Sequence, residues 1–127
     1  MTISYAYERS YEPAAPVASI GLSPSGESVA RNQVTALLDT GADATMIPVN
    51  ILAPAGARYV EQQRMRGLVG DAVTVNLYLT AVHIGEHIIH GIRAIGVAPG
   101  SEAIIGRDVL NQLEVALNGP ALETWIR

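Results

Sequence analysis

The chain is expected to fold as an all-β domain with one short helix near its C-terminus. Three observations carry that expectation. Val73, Val75, Leu77 and Leu79 alternate with Thr74, Asn76, Tyr78 and Thr80, the period of two that belongs to a half-buried strand. Short apolar runs are bounded by Pro- and Gly-containing loops, and Asn118-Gly119 is a strong hairpin signal between two such runs.

Taken in order, residues 1–15 form a polar, tyrosine-containing lead with Pro13, expected to be ordered only if a partner or the core holds it. Residues 16–127 form one domain. Val17 to Leu22 and Gln33 to Leu38 are short strands around Ser23-Pro24-Ser25-Gly26, whose Pro and Gly mark a hairpin loop. Thr45 to Pro48 continues extended, and the Pro-interrupted stretch from Val49 to Ala57 has room for one helical turn at most. Strands resume at Arg58. The apolar phase shifts to Val82 and Ile84, which predicts a bulge or bend near Ala81. Gly85-Glu86 turns the chain into an isoleucine-rich strand, His87 to Val97. Ala98 to Ser101 is a loop, Glu102 to Ile105 a buried strand, Arg107 to Leu113 the short helix, and Glu114 to Leu117 and Ala121 to Ile126 the last hairpin.

The bulk properties suit one domain. At 127 residues, roughly two-thirds of the unfolded surface can be buried, enough for one core. A net charge of -4, with eight basic residues and no basic run, leaves no electrostatic footprint for nucleic acid or an anionic membrane. Without cysteine there is no disulfide framework, thiolate metal site or cysteine nucleophile. The first residues lack a signal-peptide apolar run and no later stretch is long and apolar enough to span a bilayer, so the chain is expected to be soluble and cytoplasmic.

Chemistry concentrates in two segments. Ala36-Leu37-Leu38-Asp39-Thr40-Gly41-Ala42-Asp43 carries an acid on a tight turn straight after an apolar strand, where a carboxylate is presented rather than merely solvated. Asp-Thr-Gly alone is weak, because all three are ordinary turn residues. The second segment, Ala103-Ile104-Ile105-Gly106-Arg107-Asp108-Val109-Leu110, runs from a buried strand through Gly106 into a helix. In this order, over roughly Pro16 to Asn118, the pair resembles the retropepsin family, the single-domain homodimeric aspartic proteases typified by retroviral enzymes.

The resemblance implies a closed, orthogonal β-barrel with a flap hairpin, and a mechanism in which two aspartates share one proton, one as base toward water and the other as acid toward the scissile carbonyl. The chain has four aspartates, Asp39, Asp43, Asp71 and Asp108, and only Asp39 sits in the required turn. A single copy implies a homodimer in which Asp39 of each subunit meets at the axis. By the same resemblance Thr40 and Gly41 support the site, Asp43 pairs with Arg107 as a buried structural ion pair, and Arg66, Gly67, Leu68, Val69 and Gly70 form the substrate-covering flap. Gly67 and Gly70 would let its tip bend. The implied substrate is an extended polypeptide; no metal and no cofactor are needed. Ala42 follows the triplet where pepsin-like relatives usually carry Ser or Thr, so no hydroxyl is offered to the carboxylate and a bell-shaped rate profile in weak acid is expected. Departures are Asp71 beside the flap tip, Ala44 where some relatives have a second acid, and a longer C-terminal tail.

Other readings remain. Asp39 could cap a turn in a catalytically silent peptide-binding or dimerisation module of the same fold, or the chain could be a small barrel for an apolar ligand. His83-Ile84-Gly85-Glu86-His87 matches an H-x-x-E-H zinc pattern in spacing, but Gly85 and the flanking alternation indicate a turn rather than the helix that pattern needs. His83, His87 and His90 are read as surface residues, and Trp125 as a packing or interface group.

Overall fold

A computed structural model of the chain describes residues 1–66 and 70–127. Ten strands and two one-turn helices follow one another as β1 (Ile3–Ala6), β2 (Val17–Ser23), β3 (Asn32–Leu38), β4 (Met46–Pro48), α1 (Val49–Leu52), β5 (Arg58–Arg66), β6 (Ala72–Ile84), β7 (His87–Val97), β8 (Ala103–Ile105), α2 (Arg107–Leu110), β9 (Val115–Asn118) and β10 (Glu123–Ile126). The expected all-β class is what the chain adopts.

The larger sheet has the order β2-β3-β8-β4-β7-β6-β5, and an extra antiparallel pairing of β2 with β6, Gly21 opposite His83, closes six strands into a barrel. Closure leaves the barrel strands without free edges. β5 lies outside it, paired antiparallel with β6; the flap expectation at Gly67, Leu68 and Val69 lies outside the described residues. The phase shift anticipated near Ala81 is real. The β6–β7 register slips between Thr80 and Val82, which turns Ala81 and Val82 both inward.

Ile20, Leu22, Ile47, Leu52, Val82, Ile84, Ile105, Val109 and Ile126 are fully or almost fully buried and fill the interior. On β3, Ala36 and Leu38 face the same core while Gln33 and Thr35 face out, as a period-two strand requires. The lead segment is held by its own chain. β1 pairs antiparallel with β10, Ile3 opposite Ile126, in a second sheet of order β1-β10-β9.

Two element boundaries differ from expectation. α2 stops at Leu110 instead of Leu113, after a single turn in which Asn111 N–H closes on the Arg107 carbonyl. β10 also begins at Glu123 instead of Ala121, since Asn118 pairs with Glu123 and Gly119 to Leu122 form the loop. Pro120, lacking an N–H and fixed in φ, sits in that loop, and the two residues after it do not join the ladder. The loop is tied instead by Ala121 N–H to Asn118 Oδ1 at 3.2 Å and Leu122 N–H to the Gly119 carbonyl at 3.0 Å, with Leu122 at a φ of 53°.

Candidate active site

β3 and β8 run parallel, Leu37 opposite Ile104 and Leu38 opposite Ile105, and Asp39 N–H continues that ladder by donating to the Ile105 carbonyl at 3.0 Å. Asp39 is thus fixed by the strand that carries the second motif. The chain then turns tightly, Ala42 N–H donating to the Asp39 carbonyl at 3.2 Å and Gly41 N–H to Asp39 Oδ1 at 2.8 Å. That last bond orients the carboxylate. A Cβ on residue 41 would lie 3.1 Å from Asp39 Oδ1, so glycine here keeps the carboxylate in place. Asp39 is half-buried and Thr40 exposed in the single chain.

Residues 39–45 leave β3 and return as β4 on the far side of β8, so the turn has to cross the end of β8. The crossing is made at Gly106. A Cβ there would stand 2.7 Å from the Ala44 carbonyl and 2.9 Å from that of Ala42, contacts with backbone that has nowhere to move. Arg107 N–H donates to the Ala42 carbonyl at 2.9 Å.

Side chains bind the crossing further. Arg107 donates through Nη1 to the Thr40 carbonyl at 2.7 Å and through Nη2 to Asp43 Oδ1, so the structure brings Asp43, Arg107 and the Asp39 turn together. The pair is not buried in the single chain: the Arg107 side chain is 41% and the Asp43 side chain 75% exposed, which places its strength among surface pairs. The buried part of the network is one the sequence did not point to. Asp108 Oδ1 accepts from Thr45 Oγ1 at 2.7 Å and from Val109 N–H at 2.9 Å, Asp108 Oδ2 accepts from Thr45 N–H at 3.0 Å, and Thr45 Oγ1 accepts from Gly106 N–H at 3.2 Å. Thr45 is fully buried. The signal was an acid directly after Gly106-Arg107 at the start of a helix, but its partner lies too far away in sequence to be named from it.

Elsewhere, His83 lies in β6 opposite Ile88 and His87 opens β7 opposite Ile84, with Gly85 and Glu86 as the turn between them, so no helix aligns the imidazoles. His83 is half-buried rather than a surface residue: its Nε2 lies 2.8 Å from Ser23 Oγ, and burial, then the neighbouring His90, holds its imidazole below the ordinary value of 6.5. His90 Nδ1 accepts from Gly26 N–H at 2.9 Å. Trp125 is 44% exposed and donates Nε1–H to Glu123 Oε1 at 2.9 Å.

Comparison with known proteins follows the same geometry. Residues 27–112, spanning both motifs, match the family described as "gag-polyprotein putative aspartyl protease". No curated protein matches the chain in sequence. Among solved structures it is similar to EIAV protease complexed with an inhibitor, at 18% identity and a TM-score of 0.54 over 77% of this chain and 86% of that one. It is also similar to a retropepsin-like aspartic protease from Rickettsia conorii, at 13% identity and a TM-score of 0.62 over 99% of this chain and 89% of that one. At these identities the two structures speak for the fold, and the family match speaks for descent.

Proposed function

The chain belongs to the retropepsin-like aspartic protease family, and on that premise we propose that it is an aspartic endopeptidase whose active unit is a homodimer. The observation that supports this best is the Asp39 turn: one carboxylate, held by Gly41 N–H, on a segment that two structural motifs cross and clamp. One carboxylate cannot act as both acid and base toward the same carbonyl. A twofold dimer supplies the second from the partner's identical turn, and two carboxylates about 3 Å apart share one proton.

In this reading the ionised member takes a proton from the attacking water while the protonated member donates to the scissile carbonyl. Gly41 holds the carboxylates, and Arg107 holds the turn through the Thr40 carbonyl. Thr40, which is exposed in the single chain, would meet its counterpart across the axis of such a dimer. Arg66 and Gly70 flank the tip that would cover an extended peptide bound by main-chain hydrogen bonds. No step calls for a metal or an organic cofactor.

A diverse peptide library incubated with the chain and read by mass spectrometry tests the proposal. Defined cleavage products are expected, suppressed by a statine-type transition-state mimic and absent with Asp39→Asn, which keeps the size of the side chain but removes the ionisable dyad. Products that persist with Asp39→Asn would refute the assignment of Asp39.

A further inference from the structure

A cavity of about 290 Å³ reaches Leu37 of β3, two residues before Asp39, and its other walls come from distant parts of the chain: Glu8 and Tyr11 of the lead segment, Pro48 and Ile51, and Glu102 just before β8. Strand register fixes how it relates to Asp39. Leu37 stands opposite Ile104 in a parallel pair, so these two side chains share a face. Alternation puts Asp39 on that face two residues after Leu37, and Glu102 on it two residues before Ile104. The opposite phase, Leu38 and Ile105, is buried in the core. Glu102 is therefore level with Thr35, about 13 Å along the strand from Asp39, with apolar Leu37 between them.

A substrate side chain entering this cavity from the scissile bond meets an apolar floor first and carboxylates at the far end. Glu8 and Glu102 belong to none of the ion pairs among the described residues, and no basic residue lines the cavity. Glu102 beside the phenol, then burial and the charge of Glu8, raise Tyr11 above its ordinary value of 10.0. A short or acidic side chain gains nothing here. A long stem with a cationic head packs on Leu37 and reaches Glu102, and the planar fork of arginine matches a carboxylate better than lysine does.

We propose that Glu102 is a specificity-determining residue that selects a long basic side chain, arginine above lysine, at a substrate position near the scissile bond. This rests on the aspartic protease reading for its cleft, and the test separates the two. Labelled peptides carrying Arg, norleucine or Glu at one position, scanned through successive positions, are bound to the full chain carrying Asp39→Asn and followed by fluorescence anisotropy. In one register Arg is expected to bind about fivefold tighter than norleucine, the scale of one partly exposed ion pair. Adding Glu102→Gln should bring the Arg peptide to the level of norleucine, and Glu102→Arg should turn the preference toward Glu. Equal binding of Arg and norleucine in every register, a preference that survives Glu102→Gln, or no binding of any peptide overturns the proposal. The wild-type chain is given the same peptides: a basic binding preference without hydrolysis would uphold Glu102 and refute the protease, whereas hydrolysis indifferent to Arg would do the reverse.

Discussion

Thr45, fully buried, and Asp108, half-buried, hold the Asp39 turn from beneath. Thr45→Val removes the hydroxyl that bridges Gly106 N–H and Asp108 Oδ1 while keeping the shape, leaving a buried donor and a carboxylate oxygen short of partners. A loss of about 1–3 kcal/mol in unfolding free energy is expected by denaturant titration; a loss near zero would mean the bridge contributes nothing. Arg107→Ala should have the smaller effect on the isolated subunit, because its partner Asp43 is largely solvated. His83 gives a prediction in pH. Its imidazole is held low in the fold, so the unfolded chain takes up a proton more readily below the ordinary value of 6.5. That contribution to stability is complete above 6.5 and is lost as pH falls toward the folded value. The thermal midpoint should therefore drop from about pH 7 to pH 5, and drop less steeply in His83→Gln; parallel curves would show that other groups set the acid limit. At this scale the sequence made Asp39, Gly41 and Gly106 readable because each belongs to a contiguous motif. Asp108 with Thr45, and His83 with Ser23, are partners 63 and 60 residues apart, and no local pattern announces such a pair.

Elements were legible where their cause is local. The alternation of β6, its bulge, the turn at Gly85 and the helical turn that ends before Pro54 all follow from neighbouring residues. The second strand of the last hairpin begins at Glu123 rather than Ala121 because the N–H groups of Ala121 and Leu122 turn back to Asn118 Oδ1 and the Gly119 carbonyl, partners inside the loop. The lead segment was left unpaired because nothing within residues 1–15 names β10 as its partner. The pairing is substantial: β1 lies along all four residues of β10, and Tyr7 N–H donates to the Leu122 carbonyl at 2.8 Å. Removing residues 1–7 should strip the cover from Ile126 and Thr124, both almost wholly buried, and lower the thermal midpoint by several degrees. An unchanged midpoint would show that β1 adds nothing to the fold.

The whole molecule depends on contacts that only the folded topology creates. Barrel closure through β2 and β6, and the parallel seating of β3 against β8, join segments separated by most of the domain. The family resemblance made the barrel foreseeable, but the residues alone did not fix which strands would close it. The same topology leaves one Asp39 turn per chain, and in the proposed protease two chains complete the site. Initial rates of hydrolysis, measured over a dilution series from micromolar to low nanomolar enzyme with the association state followed in parallel by analytical ultracentrifugation, test that claim most directly. Rate per subunit is expected to fall in step with the fraction of dimer, and a monomer retaining full activity would contradict a site shared between two copies of Asp39.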